Sequence, residues 1–408
     1  MEIRRQKSKK QEVGRLRKKT GTEAAAKKPV FKFLWAAIQR AKRERWAAIA
    51  VETQGIVLGD GKYVEERRNP VVSSAVTQSH EQGSPVDLTS EQGSQDSDSV
   101  TGVEHDISVQ IKLSQEGTTF YPHYSRTLAM WSKTTRSVVV PDSPGTSIEF
   151  AHCSTLTAAH RLSTAVSQAA PDAPLTIIGV LSFASPKKPG GGFLHGGDEQ
   201  EDTIARHSSL VASLSSPAAQ AFYQEHKKYW VEDGSGLHDH SMVYSPNVVV
   251  FRADADDNCD TPPEDAVGGT FIAPYTIDVL SAVPVNAAAV RAKHFILPSE
   301  KDFFESGIRR AMKERMARAL RAFEERGVRT LVLGAFGCGS SENNADTIGA
   351  IWAELLVCGE QDGAREARFK NVFDKVVFAV PGKSYRPFQR GYEMRILEAQ
   401  VAAAVLTD

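Results

Sequence analysis

The spacing of apolar positions changes several times along the chain, and each change predicts an element. Between Phe31 and Thr53, the residues Leu34, Ile38, Trp46, Ile49 and Ala50 recur at spacings near three and four, which predicts a helix. Ile56-Val57-Leu58 and Tyr63-Val64 flank the turn signal Gly59-Asp60-Gly61 and predict a small hairpin. From residue 106 onward, short apolar runs alternate with helical patterns. Ser108–Lys112, Arg136–Val140 and Thr146–Phe150 read as short strands, and Ser154–Ser167 as a helix. Thr176–Phe183 is a nearly unbroken apolar run, as expected of a strand covered on both faces. Further helices are predicted over Gln200–Leu214, Pro217–Lys228, Lys301–Arg326, Asp346–Cys358 and Tyr392–Leu406. Further strands are predicted over Asn247–Arg252, Tyr275–Val283, Val328–Leu333 and Lys375–Val380. This alternation predicts an α/β fold with a mixed sheet and helices on both faces.

Two polar stretches interrupt the pattern. Residues 1–28 hold eleven Lys/Arg against three Glu, a basic arm suited to a solvated coil, a nuclear-import signal or a nucleic-acid contact. Residues 73–104 are dense in Ser, Gln, Gly and acids, too polar to offset their ordering entropy by burial, and read as disordered. Within them Val86-Asp87-Leu88-Thr89 reads as spacer, the other reading being a strand added to a partner's sheet edge. The expected organisation is therefore a basic arm (1–30), a helical extension packed on the main domain (31–72), a polar insert (73–105) and an α/β domain (106–408).

Composition narrows the function. The 408 residues carry 49 Lys+Arg and 50 Asp+Glu, a net −1 that excludes a globally basic nucleic-acid binder. The arm contributes +8, so the remainder is −9 and must draw any anionic ligand by local groups. No apolar run approaches the roughly 18–20 residues of a spanning helix, and no secretory signal heads the chain. The four cysteines form no CxxC pair, which argues against a zinc site or disulfide framework and for an intracellular protein, nuclear or cytoplasmic.

Candidate chemistry sits in two glycine-rich loops, each after a buried strand, where α/β sheets bind ligands. The first runs from Phe183 through Gly190-Gly191-Gly192-Phe193 to Gly196-Gly197 and enters a helix at Gln200-Glu201-Asp202. The second is Gly334-Ala335-Phe336-Gly337-Cys338-Gly339-Ser340-Ser341. Glycines let backbone N–H groups approach an anion closely, and two such loops side by side could clamp a diphosphate. Ordinary strand-to-helix turns need fewer glycines. The usual nucleotide motifs do not fit: Gly334, Gly337 and Gly339 are not spaced as GxGxxG, and Val377 stands where a Walker A motif ending Gly382-Lys383-Ser384 needs glycine. His238-Asp239-His240 reads as a polar surface turn, with a metal pair as the alternative. Glu201 and Asp202 follow the first loop directly, where a carboxyl could protonate a leaving sugar oxygen and then activate water. A helix N-terminus lowers a carboxyl pKa, so a general acid here must be raised by burial or a neighbouring charge.

The run VLSFASPKKPGGGFLHGGDEQED resembles the bacterial-type poly(ADP-ribose) glycohydrolase family, whose signature is three glycines, a short spacer and Gln-Glu-Glu. Tyr244–Val248, Thr276–Ala287, Leu333–Gly339 and Val376–Val380 resemble its later segments in the same order. The resemblance implies a macrodomain-like three-layer α/β/α fold and hydrolysis of the ribose–ribose O-glycosidic bonds of poly(ADP-ribose), without a cofactor or metal. It implies that Gly190, Gly191, Gly192 and Phe193, with Gly337, Cys338, Gly339 and Ser340, hold the diphosphate. Ser182, Phe183 and Gln200 would also bind ADP-ribose, and Asp202, with Glu201 beside it, would be catalytic. The expected partner is ADP-ribose or its polymer on modified proteins, with no membrane, nucleic-acid contact only through the arm, and a monomeric state. Three departures bear on this. Asp202 stands in place of Glu and is shorter by one methylene, about 1.5 Å. Ser182 stands where Asn is frequent, and Ser340-Ser341-Glu342 where an aromatic often follows. The alternatives are a non-catalytic ADP-ribose reader, a related mono-ADP-ribosyl hydrolase and an interaction scaffold.

Overall fold

The computed structural model describes residues 34–68, 100–134, 145–169, 176–232, 236–255, 268–360 and 366–407. Helix α1 spans residues 34–58. It is followed by strands β1 (Lys62–Arg68) and β2 (Val100–Asp106), helix α2 (Ser108–Gly117), strand β3 (Thr119–Tyr121) and the short α3 (Arg126–Ala129). Then come β4 (Ser147–Ala151), α4 (Thr155–Ala169), β5 (Ile178–Phe183), α5 (Gln200–His207), α6 (Leu210–Leu214) and α7 (Pro217–Glu232). The chain continues through β6 (Met242–Arg252), β7 (Phe271–Ala282), α8 (Ala287–Lys293), α9 (Lys301–Glu325) and β8 (Thr330–Leu333). It closes with α10 (Ala345–Ala353), β9 (Lys375–Ala379) and α11 (Tyr385–Thr407).

Seven strands form one mixed sheet in the order β3-β6-β7-β5-β8-β9-β4. From β7 to β4 the neighbours are parallel, while β6 runs antiparallel to both β7 and β3. Side-chain alternation sends Leu181 and Leu280 to one face and Val180 and Val279 to the other. The first face is covered by α9, α10 and α11, whose Met312, Met316, Leu320 and Phe323 recur at helical spacing and are fully buried. The second face is covered by α4, α5 and α7 through Leu156, Ile204 and Phe222. The result is the three-layer α/β/α arrangement expected from the sequence. No described helix is long and apolar enough to cross a membrane.

Helices α10 and α11 cross without side chains between them. A Cβ on Gly349 would collide with the carbonyl oxygen of Phe388, and one on Gly391 with that of Asp346. Backbone oxygens cannot step aside as side-chain ends can. Gly391→Ala is therefore expected to destabilise the fold by about 1–3 kcal/mol, read as a lower urea midpoint. An unchanged midpoint would mean that the helices separate freely.

A third cluster fastens α1 and the β1–β2 ribbon to the domain. Ala50, Val57, Tyr63, Ile107 and Ile111 pack against Phe193, Val211 and Phe251. Arg252 adds an ion pair to Glu52 at 2.7 Å, and Thr53 Oγ1 donates to the carbonyl of Arg206.

Several expectations are corrected. Ile56-Val57-Leu58 completes α1 and is not a hairpin strand; Gly59 and Gly61 donate back to the Ile56 carbonyl, ending the helix. The partner of β1 is β2, so residues 100–105, expected within the insert, are a strand. Ser108–Lys112 is helical: Asp106 Oδ1 accepts from the Ser108 N–H and hydroxyl, and Ile107, Ile111 and Ser114 are buried at helical spacing. The helix expected over Gln200–Leu214 breaks at Ser208-Ser209, because Ser209 bonds the backbone of Val249 in both directions. Beyond α10, residues Glu354–Cys358 coil as a π-helix. His238-Asp239-His240 is no surface turn, since His238 and Asp239 are buried. Among the described residues no cluster of three His, Cys, Asp or Glu could hold a metal. The basic arm, the insert up to residue 99 and Arg136–Val140 lie outside the described residues.

Candidate active site

The site begins with a bolt between β5 and α5. The Gln200 side chain accepts from the Phe183 N–H at 2.8 Å and donates to the Leu181 carbonyl at 2.9 Å and to Thr155 Oγ1 at 3.1 Å. Its amide thus continues the sheet's hydrogen bonding where β5 ends. It fixes the first turn of α5 over the carboxyl end of the strand.

The intervening loop folds back on that turn. Gly190 and Gly191 adopt φ of 67° and 57°, a region that side-chain-bearing residues reach only at a cost. Crowding imposes glycine as well. A Cβ on Gly191 would run into Asp202 Oδ1, and one on Gly197 into Asp202 Oδ2. Phe193, in a single 3₁₀ turn with Leu194 and His195, is buried and anchors the loop in the third core cluster.

Asp202 occupies the third position of α5 and closes a capping box with Glu199. Its Oδ2 accepts from the Glu199 N–H at 3.1 Å and its Oδ1 from the Gly192 N–H at 2.7 Å. Burial raises its pKa, while those two N–H groups and Arg206 hold the rise back. Glu201 is 1% exposed. Its Oε2 accepts from the Ser185 N–H at 2.6 Å, and its Oε1 has no partner among the described residues. Burial, reinforced by the charge of Asp202, pushes its pKa up to about 8 despite the N–H groups of Ser185 and Gly190. Desolvation therefore overrides the helix N-terminus, and Glu201 holds its proton at neutral pH.

A cleft of two lobes opens over these groups. The first, about 400 Å³, is lined by Glu201, Asp202, Gly191, Gly192, Gly337, Gly339 and Ser340, with Lys187, Lys188, His238 and Asn286. The second, about 480 Å³, is lined by Gln200, Cys338 and Gly339, with Lys42, Trp46, Arg206 and Asp254. Phe183, Glu199 and Gly339 border both. The second loop is pinned by Asn343, whose amide donates to the carbonyls of Val285 and Gly337 at 2.7 and 2.9 Å, and by Trp352 Nε1 on the Gly334 carbonyl. Burial pushes the Cys338 thiol up to about 12, so it stays protonated.

The structure brings the two loops and both acids to one cleft, as the sequence predicts. Ser182, Gly190 and Phe193 do not line it. Ser182 lies fully buried within the sheet layer, while Gly190 and Phe193 shape the loop from behind. Sequence reasoning missed Lys42, Trp46, Arg206, His238 and Asp254. Trp46 lies over the buried Arg206, 4.6 Å from guanidinium carbon to ring centroid, and the Arg206 guanidinium donates to the Gly197 carbonyl. An aromatic on a predicted helix beside a basic stretch was the only signal, and it did not point to the loop.

Residues 91–253 match the family model of the microbial-type PARG catalytic domain. No curated protein matches the chain. Among solved structures, poly(ADP-ribose) glycohydrolase from Thermomonospora curvata is 26% identical, covers 86% of this chain and 99% of its own, and superposes with a TM-score of 0.60. The same enzyme bound to the inhibitor ADP-HPD is 28% identical with the same coverage and a TM-score of 0.58. The Deinococcus radiodurans poly(ADP-ribose) glycohydrolase in complex with ADP-ribose is 26% identical, covers 70% of this chain and 96% of its own, and has a TM-score of 0.52. The family model takes in the first glycine loop and the acid pair, and the likeness to the solved enzymes extends over most of the chain, so in sequence and fold the chain resembles the bacterial-type poly(ADP-ribose) glycohydrolases.

Proposed function

We propose that the chain hydrolyses ribose–ribose O-glycosidic bonds of poly(ADP-ribose) and releases ADP-ribose. The observation that carries this reading is a buried carboxyl, protonated at neutral pH, set beside a second carboxyl on the floor of a two-lobed cleft between glycine loops. The cleft suits an elongated ligand with a diphosphate at its waist. The two loops divide the work. In the first, the N–H groups of Gly191, Gly192 and Phe193 are engaged by Lys188, Asp202 and Gly190, so it shapes the lobe and holds the acids. In the second, the N–H groups of Gly339, Ser340 and Ser341 have no protein acceptor among the described residues. They are the donors assigned to the diphosphate, with Lys187 and Lys188 supplying positive charge nearby.

In the proposed reaction Glu201 gives its proton to the leaving ribose oxygen as the C1″–O bond breaks. The anionic Asp202 faces the oxocarbenium-like ribose, water adds, and its proton returns to Glu201. The resemblance aligns Asp202 with the family's proton donor. Here its shorter arm is held by two N–H groups, which favours the anion and moves the donor role to Glu201. The working unit is the α/β domain from residue 106 onward with residues 34–68 and 100–105 packed on it; the basic arm would hold polymer or address the protein to the nucleus.

Incubation with fluorescent poly(ADP-ribose), alongside mono-ADP-ribosylated protein, is expected to release ADP-ribose from the polymer. Intact chains together with tight ADP-ribose binding would replace this reading with a non-catalytic reader.

A further inference from the structure

Among the buried side-chain oxygens without a hydrogen-bond partner in the described residues are Ser182 Oγ, Ser245 Oγ, Ser281 Oγ, Tyr223 OH and Glu201 Oε1. They are gathered in one layer. Ser182 and Ser281 are opposite each other in the β5–β7 register, and Ser245 is opposite Val279 in the β6–β7 register. Alternation with Val180, Val243 and Val279 turns all three serines toward α4, α5 and α7. Tyr223, on α7, packs in the same layer. It stands behind the loop that holds Glu201: Pro186 and Lys187 line the first lobe on one side and a separate cavity of about 270 Å³ against Tyr223 on the other. The charge of Glu201 reaches the Tyr223 hydroxyl.

An unsatisfied buried hydroxyl costs about 1–3 kcal/mol, and folded proteins keep few of them. A cluster in one apolar layer, directly behind a site carboxyl whose second oxygen is also unsatisfied, calls for a role. We propose that Tyr223 is a positioning residue for Glu201: its hydroxyl, backed by Ser182 and Ser281, donates to Glu201 Oε1 during the reaction, directly or through one buried water. This rests on the reading of Glu201 as the proton donor. Burial and the neighbouring carboxyl keep the phenol protonated, so toward a carboxylate it acts only as a donor. The other groups facing Glu201 are Asp202 on its own helix, Glu199 ahead of it, Lys187 and Lys188 on the loop, and His238 on the opposite wall. Tyr223→Phe alters the charge of none of them.

The test is the pH dependence of kcat for polymer hydrolysis by the full chain, with ADP-ribose affinity measured by calorimetry. Losing a donor to the carboxylate makes Glu201 keep its proton to higher pH. Tyr223→Phe is expected to move the alkaline limb up by about one pH unit and lower kcat roughly tenfold, with ADP-ribose affinity within about twofold. Ser182→Ala leaves the ring in place and is expected to move the limb the same way by less; it carries the test if Tyr223→Phe fails to fold. An unmoved limb in a folded, ADP-ribose-binding variant overturns the proposal. If Glu201→Gln itself leaves kcat and its limb intact, the donor reading has failed instead, whatever Tyr223 does.

Discussion

Glu201→Gln is expected to lower kcat for poly(ADP-ribose) hydrolysis by about 10²–10⁴-fold, the contribution of a positioned general acid, while ADP-ribose affinity changes little. The glutamine keeps the side-chain length and an oxygen to accept from the Ser185 N–H, so the loop is undisturbed and only the transferable proton is lost. Asp202→Asn should behave differently. Both carboxyl oxygens of Asp202 accept from N–H groups, and an amide can satisfy only one of them. Its loss therefore falls on KM as well as kcat, through a loosened Gly192 and helix cap. Wild-type kcat in Glu201→Gln would sink the assignment of the donor. Stability offers an independent reading. The folded carboxyl titrates near 8 and the unfolded one near its ordinary value. The native state therefore binds the extra proton between them, and stability falls as pH rises through that window. Gln abolishes this loss. At pH 8 the variant should unfold at higher urea than wild type, and at pH 4 the two should coincide. An inactive variant more stable than its parent in mild alkali is the pattern expected of a carboxyl buried for chemistry.

The parts of this fold with strong periods were legible in the sequence. Thr176–Phe183 announced a strand covered on both faces, and Lys301–Arg326 announced α9 with a boundary one residue off. The three glycines followed by Gln200, Glu201 and Asp202 located the cleft. What failed has physical causes in particular residues. Ser108–Lys112 alternates in polarity like a strand, yet the buried positions are Ile107, Ile111 and Ser114, and only the sheet behind them selects the helical period. Ser208-Ser209 broke a helix because β6, far along the chain, accepts and donates at that point. Trp46 and Lys42 reach the second lobe from a helix some 150 residues upstream of the loop, a contact that no local pattern encodes. His238-Asp239-His240 looked polar and therefore exposed. It is buried because the Arg315 guanidinium, itself inside the core, donates to the carbonyls of Leu237, His238 and Val283 at 2.8–3.1 Å. The resemblance implies a ligand contact at Ser182, where the family often has Asn; here the pleat buries Ser182 in the layer toward α4, α5 and α7, away from both lobes.

Gly191→Ala is expected to lower turnover by at least about 10²-fold and to weaken ADP-ribose binding as well. Two effects combine. At φ of 57° an alanine costs about 1–2 kcal/mol of backbone strain. Its Cβ also falls on Asp202 Oδ1, so either the carboxyl or the loop must move. The Asp202 carboxyl holds the Gly192 N–H and caps α5, so displacing it shifts both acids from the first lobe, and a misplacement of about 1 Å suffices for a loss of that size. Gly327→Ala separates the two effects. Gly327 has φ of 71° with nothing within 4 Å of an added Cβ, and it lies in the turn between α9 and β8. It carries the strain without the collision. Its variant should lose a similar increment of stability in urea unfolding and keep full turnover. If Gly191→Ala lost stability by the same amount and also kept its turnover, the contact between the first glycine loop and Asp202 would be packing alone, and the loop would have no part in holding the acids in register for the reaction.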